Sequence, residues 1–118
     1  MLQIGEIVGL LEAYVSDKSK KVNYVNIEYG ILTEISSAVF DKTSDSMVIS
    51  NATGSVESVK DLIFNLLANQ STEEVEFVIF NKGEAVIRRK ISEFNYIDIV
   101  ERENYVEIVL KSEKEIVE

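Results

Sequence analysis

The 118-residue chain contains no cysteine, histidine, proline or tryptophan. Without cysteine there are no disulfides, thiolate metal sites or thiol nucleophiles, and a secreted protein of this size would lack its usual cross-links. Without histidine the commonest general base and metal ligand is missing, so Ser-His and Cys-His nucleophilic systems are both excluded. No apolar run approaches the roughly 18 residues that a spanning helix needs. The N-terminus carries Glu6 and Glu12 where a targeting segment would carry basic residues. The expectation is a cytoplasmic protein with no membrane association.

Positive charge is also scarce: 12 basic residues stand against 21 acidic ones, a formal charge of −9. Nucleic-acid affinity comes largely from Lys and Arg displacing condensed counterions, so direct binding of DNA or RNA is not expected. The same acidity could steer the chain toward a basic protein partner. Signatures for phosphate or nucleophile chemistry are missing too. There is no Gly-Lys dipeptide, no Gly-x-Gly and no Ser-x-x-Lys, and no Asp or Glu stands two before any Lys.

Carboxylates remain. Asp41, Thr43 and Asp45 in "DKTSDS" alternate like the opening of a calcium loop, but Ser46 stands where glycine should turn the chain and Ala52 where a bidentate Glu should close the site. A plain turn is the simpler reading, since Asp and Ser are standard turn formers. No cofactor, metal or catalytic residue is assigned, and the chain is not expected to be an enzyme. Two glycosylation-type triplets begin at Asn51 and Asn69 and are read as chance matches in a cytoplasmic chain.

What is present is aliphatic patterning. Hydrophobic residues make up 46% of the chain and charged ones 28%, which suits one domain over residues 1–118 that buries roughly two-thirds of its unfolded surface. Over residues 2–16, Ile4, Ile7, Val8, Leu11 and Val15 share a helical face. A second helix is expected near residues 55–69, capped by Ser55, with Val56, Val59, Ile63, Leu66 and Leu67 on its apolar side. "VNYVNIEY" alternates Val25, Ile27 and Tyr29 against polar residues, Gly30 bends the chain, "ILTEISSAVF" fits either a helix (Ile31, Ile35, Val39) or a strand and is read as strand because β-branched residues dominate, and "MVIS" returns as a short strand. From residue 74 the chain reads as a meander of four strands, 74–80, 84–91, 95–101 and 105–111, followed by a frayed acidic tail at 112–118. The expected fold is α+β: a mostly antiparallel sheet of about six or seven strands, two helices on one face and no internal repeat.

The hairpin "VEFVIFNKGEAVIRRKI" holds two of the three arginines. A two-residue loop at Lys82-Gly83 would set Phe77 against Arg88. A three-residue loop from Asn81 to Gly83 sets Glu76 against Arg88 and Glu74 against Lys90, a better match. In that register Arg89 lies on the other face, opposite Val75, with no carboxylate across from it. It is the basic residue most available for an interaction.

Gly5, Gly9 and Ala13 recur every four residues along the first helix. Glycine inside a helix costs about 0.5–1 kcal/mol relative to alanine, so two of them call for compensation by close backbone approach. Either the stripe packs on this chain's own sheet, or the helix starts after Gly5, or the stripe meets a second helix. The leading functional expectation is a non-catalytic protein–protein interaction module, homo-oligomeric or with a protein partner, through Gly5, Gly9, Ala13 and Arg89. The alternative is a small acidic inhibitor or decoy, of the kind a phage, virus or other mobile element encodes, that blocks a basic nucleic-acid-binding partner.

Overall fold

Ile4, Ile7, Val8 and Leu11 recur at helical spacing. In the computed structural model of the chain all four lie buried on one side of helix α1 (Ile4–Tyr14). The structure describes residues 4–26, 31–68, 74–94 and 96–111. Val59, Leu62, Ile63 and Leu66 do the same on helix α2 (Val59–Ala68), 55 positions further on in each case. Burying a side chain of this size contributes about 1.5–3 kcal/mol, so each four-residue stripe far outweighs the helix propensities around it.

Helix α2 starts later than the sequence suggests. Ser58, not Ser55, is its cap, with Asp61 N donating to Ser58 Oγ at 3.3 Å. Val56 is buried ahead of the helix, and Leu62 rather than Leu67 completes the buried face.

Eight strands follow the patterning: β1 (Lys21–Asn26), β2 (Ile31–Glu34), β3 (Ser37–Asp41), β4 (Ser46–Ser50), β5 (Val75–Asn81), β6 (Glu84–Lys90), β7 (Tyr96–Glu101) and β8 (Tyr105–Lys111). The fold is α+β as expected, but the strands form two mixed four-stranded sheets, β2-β1-β8-β7 and β3-β4-β5-β6, rather than one sheet of six or seven. The central pairs β1–β8 and β4–β5 run parallel and the outer pairs antiparallel.

The C-terminal meander is therefore divided between the sheets. A 3₁₀ turn at Ile91–Glu93, anchored by the buried Ile91 and Phe94, carries the chain from β6 in one sheet to β7 in the other. The strand expected at 31–40 is divided as well. Ile35 N donates to Val22 O at 3.0 Å, and Ser36 N donates to Ser50 O at 2.9 Å. Consecutive residues thus bond to different sheets. Gly54 seals this corner: a Cβ there would lie 2.8 Å from Ser36 O and from Ser37 Cβ, so only glycine fits.

These connections reveal an internal repeat that the sequence does not show. The first unit runs α1, β1, the bent β2/β3 pair and β4; the second runs α2, β5, the bent β6/β7 pair and β8. The first strand of each unit lies parallel to the last strand of the other. The helix contacts exchange in the same way, α1 touching β7 and α2 touching β3, while α1 and α2 touch each other.

Both helices and both sheets feed one core. Tyr24 of β1 stacks on Phe77 of β5 with ring centroids 4.8 Å apart, joining the inner faces of the two sheets. The buried side of β1 thus carries Val22 and Tyr24, and Val25, expected on the buried side, points the other way and is half-buried. Ile27, Tyr29, Gly30, Asn69 and the tail at 112–118 lie outside the described residues.

The β5–β6 hairpin corrects the expected register. Asn81 pairs with Glu84, so the loop is the two-residue Lys82-Gly83, with φ of 55° and 83°. Two positive φ values mark a type I′ turn, whose twist suits a hairpin. A bulge at Val86 then shifts the pairing, giving Ile79–Ile87, Phe77–Arg89 and Glu76–Lys90. Beyond the bulge this register differs from the expected one by two residues, so Ile87 to Lys90 keep their faces while their partners change; Glu84 and Ala85, before it, are offset by one.

Candidate interaction surface

Helix α1 begins at Ile4, which places Gly5 and Gly9 inside it. Among the described residues, a Cβ built on either glycine meets nothing within 4 Å, and Ala13 is exposed. Among those residues the stripe meets neither sheet, and the helix does not start after Gly5. Glu6 and Glu12 flank the stripe and are exposed.

Helix α2 presents the opposite relief. Phe64 is 71% exposed and Leu67 44% exposed, with Lys60 exposed one turn before Phe64. Phe64 follows the first buried residue of its helix by five positions, as Gly9 does in α1, so both point the same way around their helix axes. Leu67 was expected in the core because it fits the apolar pattern. The buried set includes Leu62 instead, which turns Leu67 outward. Phe64 stands off the apolar spacing of its helix, which is the signal the sequence offers for it.

Arg89 has a different place from the one expected. It lies opposite Phe77, its guanidinium 4.9 Å from the centroid of Phe94, and its Nε donates to Glu93 Oε2 at 3.3 Å. Its side chain is only 16% exposed. Glu93 also accepts from Lys90 N at 2.7 Å, so Arg89 and Glu93 together brace the corner between β6 and β7. Arg88 pairs with Glu76 on the outer face of its sheet, as expected of the two faces.

The acidic residues are dispersed and many are partnered. Arg102 Nε donates to Glu107 Oε1 at 2.7 Å, which raises the arginine above its ordinary value. Glu101, at the end of β7, accepts from Ser16 N at 2.9 Å, from Ser16 Oγ, and from Asp17 N at 3.1 Å, and pairs with Lys20 at 3.1 Å. These bonds hold its carboxyl down at about 2, the Ser16 backbone contact first among them. Asp17 is lowered in turn, chiefly by the Ser19 hydroxyl. The segment between α1 and β1 is thereby tied to the far end of the chain.

The remaining candidates resolve into structural roles. Asp41 Oδ1 accepts from Thr43 N at 2.9 Å, the Asx turn of a plain β3–β4 connection. Asn51 uses its amide to bond Phe80 N at 2.8 Å and Phe80 O at 3.0 Å, extending the β4–β5 ladder. The first N–H groups of α2 are occupied: Val59 N and Lys60 N donate to Lys20 O and Lys18 O, each at 2.9 Å. A groove of about 560 Å³ runs past Lys21, Glu34, Asn51 and Gly54, and Lys21 and Glu34 pair across it at 3.2 Å. A smaller one of about 320 Å³ lies between α1 and β7, walled by Leu10, Tyr14, Ile97 and Ile99. Among the described residues no group of three or more acids is placed to hold a metal, and no helix is long and apolar enough to cross a membrane.

Fold and surface together define an α+β chain of two interlocked αβββ units with its most exposed apolar residues on a helix pair. No protein-family model, curated protein or solved structure matches it.

Proposed function

We propose that this chain is a non-catalytic protein-interaction module that works as a homo-oligomer through the outer face of α1. The observation that carries this reading is the open space above Gly5 and Gly9. Each glycine costs its helix about 0.8–1 kcal/mol relative to alanine. The described part of the chain returns nothing for that cost, and a helix seated closely on the stripe would.

The placement of the acids favours this reading over the acidic decoy. A decoy needs its carboxylates gathered on one face. Here Glu76 pairs with Arg88 on one sheet, Glu107 with Arg102 on the other, and Glu101 with Lys20 beside the α1–β1 connection. Glu84 and Glu103 sit at separate hairpin turns.

Association that stabilises the fold makes the melting temperature depend on protein concentration. The melting temperature of the native chain is expected to rise over a hundredfold increase in concentration. That of Gly9→Leu, which fills the stripe, is expected to stay constant. A native chain with a concentration-independent melting temperature would remove the reading.

A further inference from the structure

We infer that Glu101 is the latch of a strap: its carboxylate holds residues 16–20 down over the start of α2, and its release lets that segment lift and bare Val59 N and Lys60 N while both sheets stay closed. Four donor groups converge on this one side chain. Ser16 N donates at 2.9 Å, Ser16 Oγ to both oxygens at 2.9 and 3.0 Å, Asp17 N at 3.1 Å, and Lys20 Nζ lies at 3.1 Å.

The segment itself has little else to keep it in place. Residues 16–20 join α1 to β1 outside any helix or strand, and each is exposed or half-buried between the buried Val15 and Val22. Apolar burial therefore contributes little, and polar bonds decide whether the segment lies down. Asp17 Oδ1 accepts from Ser19 N at 3.0 Å and from Ser19 Oγ at 2.6 Å, bonds that shape the turn without attaching it to another element. On the β7 side the attachment is Glu101, with Lys20 Nζ adding a bond to Arg102 O at 2.7 Å. Bonds to a charged acceptor are roughly twice as strong as neutral ones, so the carboxylate leads.

The other side of the segment faces α2. Lys20 O accepts from Val59 N and Lys18 O from Lys60 N, each at 2.9 Å. The first four N–H groups of a helix have no partner within it, so these two carbonyls complete the helix start. Asp61 N and Leu62 N turn to Ser58 instead. The strap thus serves one pair of donors and the cap the other. Val59, Leu62 and Leu66 are fully buried, so α2 keeps its seat when the strap lifts. The pairings of Glu101 with Val106 and of Lys21 with Tyr105 are main-chain ladders, which do not pass through the Glu101 side chain.

Amide hydrogen exchange followed residue by residue tests the latch. In the native chain, Ser16, Asp17, Val59 and Lys60 are expected to open together, with little dependence on dilute urea. Phe77 and Ile108, in the central strands, are expected to exchange far more slowly and only through global unfolding. Glu101→Gln keeps the size of the side chain and removes its charge. It is expected to speed exchange at Val59 and Lys60 by about tenfold beyond any change at Phe77 and Ile108. Glu76→Gln, which removes the charge of an ion pair on the other sheet, is expected to leave that ratio at its native value. Unchanged exchange at Val59 and Lys60 in Glu101→Gln, or an equal rise at Val59, Lys60, Phe77 and Ile108, would overturn the inference. Native protection of Val59 and Lys60 equal to that of Ile108 would overturn it too, whether or not the variant folds.

Discussion

Gly9 is the sixth residue of α1 and Phe64 the sixth residue of α2, so the two halves of the chain present a notch and a knob at the same helical position. Four buried aliphatic residues coincide between the helices while the outer faces diverge. Core packing explains the first relation. The second falls on residues with no role inside the described fold.

The stripe glycines have a measurable cost. Gly5→Ala and Gly9→Ala are each expected to raise the stability of the dilute chain by about 0.5–1 kcal/mol in urea titrations. Gly54→Ala is the contrasting case, because its Cβ would meet the backbone of Ser36 and is expected to cost about 1–3 kcal/mol. Equal effects at all three positions would contradict the packing described.

Acid stability follows from Glu101. Its folded value of about 2 lies below the unfolded value of about 4.3, so its contribution is complete above the unfolded value and is lost as pH falls through the folded one. Asp17 acts in the same direction. The native chain is expected to lose stability steadily between about pH 5 and pH 2. Glu101→Gln should lower stability at neutral pH and flatten that dependence, and an unchanged pH profile would contradict the assignment.

The ion pair on the outer face of the hairpin is testable through Glu76, which is only 8% exposed and paired with Arg88. Glu76→Arg places a cation beside Arg88 and opposite Lys90, with an expected loss of about 1–3 kcal/mol. Adding Arg88→Glu should recover part of it. Strict additivity of the two substitutions would mean that the pair does not interact.

Local periodicity made the helices legible: Ile4, Ile7, Val8 and Leu11 announce α1, and Val59, Ile63 and Leu66 announce α2. The strand limits in the C-terminal half were also readable, since turn residues punctuate them. Which strands become neighbours was not readable, because alternation gives a strand its faces without naming its partner. The step from Ile35 to Ser36 changes sheets with no glycine or proline to mark it. In the hairpin, one bulged residue at Val86 reconciles a two-residue loop with the expected faces, and sequence pairing rules weigh loops without bulges.

At the surface, the Gly5, Gly9 and Ala13 stripe was visible as a pattern. The exposed face of α2 was hidden because Leu67 satisfies a helical apolar spacing that the fold fills with Leu62. Arg89 reads as available in the sequence because strand register names only its cross-strand partner. The group that holds it, Glu93, lies four residues further along in a 3₁₀ turn that strand patterning does not foresee.

The central claim is association through the stripe of α1, and solution mass by sedimentation equilibrium tests it most directly. The native chain is expected at twice its 13.3 kDa mass and Gly9→Leu at 13.3 kDa, with both fully folded by circular dichroism. A native chain that stays at 13.3 kDa across the accessible concentration range, or a Gly9→Leu protein that remains dimeric, would contradict the account.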